Sequence, residues 1–391
     1  MVGEFHPPAR ILMGPGPSNV EPRVLLAMAN PPVGHLDPEF IRLMSSLSAL
    51  LGQTFGTRND FTISISGTGT LGMEAALVNT IEPGDRVLVC INGFFGERMA
   101  DIAGRCNANL RTLSVPWGQA LDLAVIEKEL RSFQPKVLAI VHAETSTGVL
   151  QPLEDFPKIL KNYPDTLLLV DTVTSLGGHP VKVDEWGIDI CYSGTQKCLS
   201  CPPGLAPITF SPKALKKIKD RTKKVRSLYV DMNMIGKYWG TERRYHHTAP
   251  VSMNYALLEA LRIIEEEGLE KRYERHRRNH LALVKGVEAM GLKMLVDEPY
   301  RLWSLNTVKI PEGIDDAKVR KTLLEQYNLE IGGGLGVLKG KIWRVGIMGY
   351  SSSEANVLFF LTVLEQTLRD QGFEVPKGAG ATAAREFYRK A

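Results

Sequence analysis

Two side chains in this sequence are of types that could do covalent chemistry together. Asp171 closes the run Leu167-Leu-Leu-Val-Asp, and Lys197 closes the run Asp189-Ile-Cys-Tyr-Ser-Gly-Thr-Gln-Lys. A lysine amine condenses with an aldehyde, and a carboxylate holds a protonated ring nitrogen; pyridoxal phosphate asks both of a protein. Four consecutive aliphatics running into an aspartate read as a strand buried on both faces, since parallel strands are continuously rather than alternately apolar. Asp171 then stands at the carboxyl end of its strand, where open α/β sheets bind ligands. The second run reads as another short strand that stops in a polar turn, so carboxylate and amine come from neighbouring strand ends.

Other elements must bring these ends together. The stretch Ile63-Ser-Ile-Ser-Gly-Thr-Gly-Thr-Leu-Gly places small residues between a strand ending at Ile65 and a helix over Gly72–Thr80. Free N–H groups and the helix dipole at such a turn suit a phosphate. The spacing is neither that of a dinucleotide fingerprint nor that of a P-loop. Further strands are read at Arg86–Ile91, Leu110–Val115, Val137–Val141 and Ala206–Phe210, with helices from Phe94 to about Cys106, over Leu123–Phe133 and over Asp155–Asn162. Strands alternating with helices predict an α/β fold with a mostly parallel, doubly wound sheet, and polar strand ends near Thr68, Thr145 and Asp171 converge on one edge.

Helices are also read at Pro22–Ala29 and Pro38–Leu51, while Gly14-Pro-Gly-Pro-Ser is an extended loop whose glycines leave room for close approach. Val251–Met290, interrupted at Gly268, reads as two helices leading to a smaller C-terminal α/β domain. That domain comprises strand Leu305–Ile310, helix Ala317–Gln326, a glycine-rich stretch Glu330–Gly336, strand Trp343–Met348 and helix Ser353–Gln371. The division expected is an arm over 1–20, a large domain over 21–260, a small domain over 261–371 and a flexible tail over 372–391, where Gly, Ala and charge dominate.

Composition excludes several classes. A length of 391 residues suggests two domains. The net charge of +4, from 47 basic and 43 acidic residues spread along the chain, implies no nucleic-acid or membrane partner. No run approaches ~18 apolar residues. The start lacks a basic region followed by an apolar core and the end is not a peroxisomal signal, so a cytoplasmic protein is expected. Five cysteines suggest reduced thiols. Cys198-Leu-Ser-Cys201 lacks a second ligand pair and His246-His247 are adjacent rather than one turn apart, so no metal site is expected. The aromatic, polar segment Tyr238–Pro250 suits an interface.

The combination of Gly14-Pro-Gly-Pro-Ser18, Ser66-Gly-Thr-Gly-Thr70, Asp171-Thr-Val-Thr-Ser-Leu-Gly-Gly178, Ser193-Gly-Thr-Gln-Lys197, Tyr245-His-His-Thr248 and Trp343-Arg-Val-Gly346 resembles the alanine–glyoxylate and serine–pyruvate aminotransferases. These are class V aminotransferases of fold-type I, and the likeness runs from about Leu12 to Leu368. The resemblance implies pyridoxal 5'-phosphate as cofactor, joined covalently to Lys197, with Asp171 keeping the pyridine nitrogen protonated. It implies a phosphate site at Thr68, Gly69, Thr70 and Gln196, with Val173 on one ring face and Phe95 on the other, where the family commonly has tryptophan. It implies that Thr145 contacts cofactor or substrate, and that Arg344, with the backbone near Gly16, holds the substrate carboxylate.

Tyr245 and Thr248 would reach the phosphate of a partner subunit, which makes the enzyme a homodimer. The activity implied is transfer of the amino group of L-alanine or L-serine to glyoxylate by two alternating half-reactions. Ureidoglycine, aspartate or an aminophosphonate as donor, or a pyridoxal-phosphate lyase or desulfurase, are the other readings; so is a non-catalytic subunit, which the joint presence of Lys197, Asp171 and Arg344 opposes. Trp303 stands where relatives tend to carry proline.

Overall fold

The computed structural model describes residues 3–390. Strand β1 (Ile11–Leu12) opens the chain, followed by helices α1 (Pro22–Met28) and α2 (Pro38–Phe55). Asp37 starts α2 by accepting from the Glu39 N–H at 2.8 Å with Pro38 at the first helical position, and Gly56, at φ 64°, ends it. Then come β2 (Phe61–Ser66), α3 (Gly69–Thr80), β3 (Arg86–Ile91), α4 (Phe94–Arg105), β4 (Asn109–Ser114), α5 (Leu123–Phe133) and β5 (Val137–Val141). A short hairpin, β6 (Ala143–Glu144) and β7 (Val149–Leu150), precedes α6 (Phe156–Leu160), β8 (Leu167–Asp171), β9 (Ile190–Tyr192) and β10 (Leu205–Phe210).

These strands form a seven-stranded sheet in the order β2-β10-β9-β8-β5-β3-β4, in which only β10 runs antiparallel to its neighbours. Alternate residues of β3 face different cores: Leu88 and Cys90 pack with α2, α5 and α6, whereas Val87 and Val89 pack with α3 and α4. Both faces are covered, which is why the central strands β3, β5 and β8 are almost continuously apolar. The register sets Val141 beside Asp171 and Asp171 beside Tyr192, so three strand ends lie level at one edge. The start of α3 meets that edge too. Helix α3 lies close on the sheet because a Cβ at Gly72 would stand 3.1 Å from Ala206 Cβ and 3.3 Å from Tyr192 Cδ2.

Beyond the sheet follow α7 (Pro212–Lys219), α8 (Met232–Trp239), α9 (Val251–Glu267) and α10 (Leu269–Ala289), then β11 (Leu305–Lys309), α11 (Asp316–Tyr327), β12 (Leu329–Glu330), β13 (Gly332–Gly333), β14 (Ile342–Gly346), α12 (Glu354–Arg369) and α13 (Ala379–Lys390). Strands β11, β14 and β13 make a second, antiparallel sheet. A separate apolar cluster of α10, α11, α12 and α13 residues covers it, and Met13 from the first strand's neighbourhood packs there, since β1 pairs parallel with β12. Among the described residues no helix is long and apolar enough to cross a membrane.

The expected flexible tail is corrected by α13. Gly380, Ala381, Ala384 and Tyr388 are buried at helical spacing, and the Tyr388 hydroxyl donates to Asn279 Oδ1 at 2.7 Å. The glycine and alanine content that resembled a linker is what lets the backbones of α10 and α13 approach: a Cβ on Gly286 would stand 2.9 Å from Gly380 O. Met1, Val2 and Ala391, at the ends of the expected arm and tail, lie outside the described residues.

Candidate active site

A cleft opens at the sheet edge where β5, β8 and β9 end. Gly69, Thr70, Phe95, Thr145, Asp171, Val173, Gln196 and Lys197 all line it, and sequence reasoning singled out each of them; Met73, Val141, Ala143 and Thr174 complete the wall.

Asp171 is buried, and its two carboxylate oxygens are held separately: Oδ1 accepts from the Val173 N–H at 2.8 Å and Oδ2 from the Tyr192 hydroxyl at 2.6 Å. Burial pushes its pKa up to about 6, while those two hydrogen bonds pull the other way. Each oxygen keeps a lone pair for a further donor. Tyr192 was not anticipated; its role follows from cross-strand register, which a single sequence does not display.

Lys197 is equally buried, and its ammonium donates to the Pro15 carbonyl. Burial, and then the nearby positive charge of Arg344, push its pKa down to about 8. Its turn is tied by two residues from elsewhere in the chain, Ser18 and Arg272. Ser18 Oγ donates to Lys197 O at 2.9 Å, the Ser18 N–H donates to Gln196 O at 2.9 Å, and the buried Arg272 donates to Cys198 O at 2.6 Å and Gly177 O at 2.9 Å. A Cβ at Gly16, where φ is 104°, would stand 2.6 Å from Lys197 Nζ, so the arm closes directly on the amine. Cys198 and Cys201 are buried beneath this turn, with Cys198 Sγ 3.4 Å from Thr174 O.

Arg344 rises from the middle of β14, buried and behind the cleft wall. It donates to Gly333 O at 2.7 Å and to Thr145 O at 3.4 Å, both neutral carbonyls, and no carboxylate pairs with it among the described residues. Burial pushes its pKa down to about 10. A buried guanidinium whose protein partners are two carbonyls keeps further N–H donors free for another acceptor.

At the opposite end, Thr68 caps α3 without a side-chain hydrogen bond, leaving the first-turn N–H groups of Gly69 and Thr70 without a backbone partner. A Cβ at Gly69 would stand 3.3 Å from Val173 Cγ2, so glycine lets this turn lie against the ring position. Gln196 Oε1 is buried with no partner. Arg98, also unanticipated, donates to Thr70 Oγ1 at 3.1 Å and lies 5.0 Å from the centre of the Phe95 ring. Tyr245 and Thr248 do not line the cleft of their own chain; both are exposed. His247, their neighbour, reaches Ser66 at the end of β2 at 2.7 Å.

The sequence matches the family Aminotransferase class-V over residues 15–355. The chain belongs to that family. It superposes on the alanine–glyoxylate aminotransferase of Nostoc sp. with a TM-score of 0.93 and 50% identity, over 94% of this chain and 98% of that one. It superposes on the ureidoglycine–glyoxylate aminotransferase of Bacillus subtilis with a TM-score of 0.97 and 42% identity, over 99% and 100% of the two chains. The alanine–glyoxylate aminotransferase of Rattus norvegicus is 41% identical over 93% of this chain and 88% of its own length.

Class-V aminotransferases are pyridoxal-phosphate enzymes of fold-type I, and the residues present fit that cofactor. The unpartnered Gln196 amide and the free first turn of α3 suit its phosphate, the doubly anchored Asp171 suits its ring nitrogen, and the Lys197 amine suits its aldehyde.

Proposed function

We propose that this aminotransferase moves the amino group of L-alanine or L-serine to glyoxylate, releasing glycine and pyruvate or hydroxypyruvate. The observation that carries this reading is the buried Arg344 guanidinium, which meets only carbonyls of the protein while Lys197 and Asp171 face one cleft beside it. Arg344 binds the carboxylate common to amino acid and oxo acid, so one site serves both halves of the reaction. The Pro15 ring packs against Gly332, 2.6 Å from where its Cβ would stand, and this crowding next to Arg344 favours a small substrate side chain.

Pyridoxal phosphate, when bound, supplies an electron sink that makes the substrate Cα–H acidic. Lys197 takes the proton from Cα and delivers it across the cleft, and a pKa near 8 lets the amine act in both directions close to neutrality. Asp171 holds a positive charge on the ring nitrogen. Thr145 touches cofactor or substrate, Val173 and Phe95 enclose the ring, and Thr68, Gly69, Thr70 and Gln196 bind phosphate. Tyr245 and Thr248 complete that phosphate site in a partner subunit, which makes the protein a homodimer working in the cytoplasm.

The test is a panel of amino donors against glyoxylate and pyruvate. Alanine or serine with glyoxylate should give the highest kcat/KM, with parallel double-reciprocal plots; intersecting plots would exclude the alternating scheme. A ureidoglycine donor is the second reading, favoured by the end-to-end likeness to the Bacillus subtilis enzyme. Sulfur removal from cysteine is disfavoured, because Cys198 is buried beneath Lys197 and its thiol is pushed up by burial, away from the reactive thiolate.

A further inference from the structure

Phe95 lies in the first turn of α4, and that turn is not capped by its own chain neighbourhood. The N-cap is Gly93, which has no side chain to offer. The donors at the helix start are taken instead by two residues of the β6 segment. Glu144 Oε2 accepts from the Phe95 N–H at 3.0 Å and from the Gly96 N–H at 3.4 Å, and Ser146 Oγ accepts from the Phe94 N–H at 3.0 Å. Ser146 in turn donates to Glu144 Oε1 through its hydroxyl at 2.7 Å and through its backbone at 3.0 Å. Glu144 is fully buried and satisfied entirely by neutral donors, with no basic side chain in ion-pair reach among the described residues. Such a carboxylate is costly to bury, and its four hydrogen bonds with the positive end of α4 offset that cost.

The packing admits no other residue at the cap. A Cβ on Gly93 would stand 2.5 Å from Ser146 Oγ and 2.6 Å from Glu144 Cδ. Thr145, between the two capping residues, lines the cleft, so one three-residue segment supplies both the cleft wall and the clamp on the helix that carries Phe95. The ring also meets Arg98, whose guanidinium lies 5.0 Å from the ring centre while bonded to Thr70.

We propose that Glu144 is a positioning residue of the reaction: by capping α4 from another element it fixes the Phe95 ring against the cofactor and holds it in register with Thr145. This rests on pyridoxal phosphate filling the cleft. Phe95 presents a phenyl ring, which has less stacking area than an indole, so its placement counts for more.

The test compares Glu144→Gln, Ser146→Ala, Phe95→Leu and the double variant E144Q/F95L. Pyridoxal phosphate is titrated into each apoprotein, the visible circular dichroism per bound cofactor is recorded as a measure of ring orientation, and the unfolding midpoint is measured separately. Glu144→Gln should raise the cofactor dissociation constant about tenfold and weaken the dichroic band, with Ser146→Ala shifting both the same way by less. In the Phe95→Leu background the Glu144 change should add less than about twofold, since both act through one ring.

If the effects on affinity multiply, or if Glu144→Gln lowers only the unfolding midpoint and leaves affinity and dichroism unchanged, the proposal is wrong. Should Glu144→Gln not fold, Ser146→Ala against Phe95→Leu carries the same comparison. Failure of the unsubstituted protein to bind pyridoxal phosphate would instead remove the functional reading itself.

Discussion

A guanidinium that leaves water needs acceptors for all its donors, and Arg344 has left it. Buried and bonded only to Gly333 O and Thr145 O, it keeps donors for a ligand, and the planar fork matches a carboxylate in a way a lysine ammonium does not. Arg344→Lys should therefore keep the charge and lose the paired geometry, lowering kcat/KM by roughly 10- to 100-fold. Because donor and acceptor share the carboxylate, both half-reactions should fall by similar factors in single-turnover measurements. A loss confined to one of them would mean that Arg344 binds something else. Asp171 and Lys197 are set by a different logic, in which burial raises the pKa of the acid and lowers that of the base, bringing both toward neutrality.

Among the elements, α13 makes the most distinct energetic claim. Tyr388 is 7% exposed, bonds Asn279 and packs against α10 and α12, so Tyr388→Ala should cost about 3 kcal/mol in urea unfolding, with glycine release from glyoxylate nearly unchanged. A midpoint shift near zero would mean that this helix does not dock. Its sequence hid it because Gly and Ala, read as linker composition, are contact residues between two close backbones. The central sheet strands were legible for the opposite reason: covered on both faces, β3, β5 and β8 are nearly unbroken aliphatic runs that give way to polar residues at the cleft. Asp171 could be found because it terminates such a run, and Lys197 because it stands in the polar turn that follows the short strand β9. Tyr192, Glu144 and Arg272 could not, since each acts on a partner brought near by register or by a distant helix. Trp303 finds an account at this scale as well: its N–H donates to His179 Nε2 at 2.8 Å and its ring stacks on that imidazole at 3.9 Å, a link that proline, lacking the N–H, does not make.

For the molecule as a whole, four histidines, His142, His179, His276 and His280, are buried. Burial pushes His142 and His276 down to about 3, His280 down to about 4 and His179 well below its usual value. The sign follows from proton counting. Below pH 6.5 the unfolded chain binds protons that the folded chain refuses, so stability is full above 6.5 and falls as pH drops toward 3–4. Glu267, held down to about 2 against Arg272 and Arg275, adds a further loss below its ordinary carboxylate range. The urea midpoint should thus decline steadily from pH 7 to pH 5, and a flat profile would contradict the assigned neutral histidines.

The proposed dimer makes a separate prediction at the same scale. Tyr245, Leu228 and Tyr229 are 59%, 65% and 44% exposed, an aromatic and aliphatic surface beside the end of β2. Mixing inactive Lys197→Ala protein with an inactive Tyr245→Ala/Thr248→Ala protein should restore activity, because a hybrid dimer holds one site with every native residue. No restoration after verified subunit exchange would place Tyr245 and Thr248 in their own chain's site or in none.

The most direct measurement is borohydride reduction of the purified holoprotein followed by peptide mass analysis. A single reduced pyridoxyl-phosphate adduct is expected, on Lys197, which Lys197→Ala abolishes. An unmodified Lys197, or an adduct carried by another lysine, would contradict that assignment.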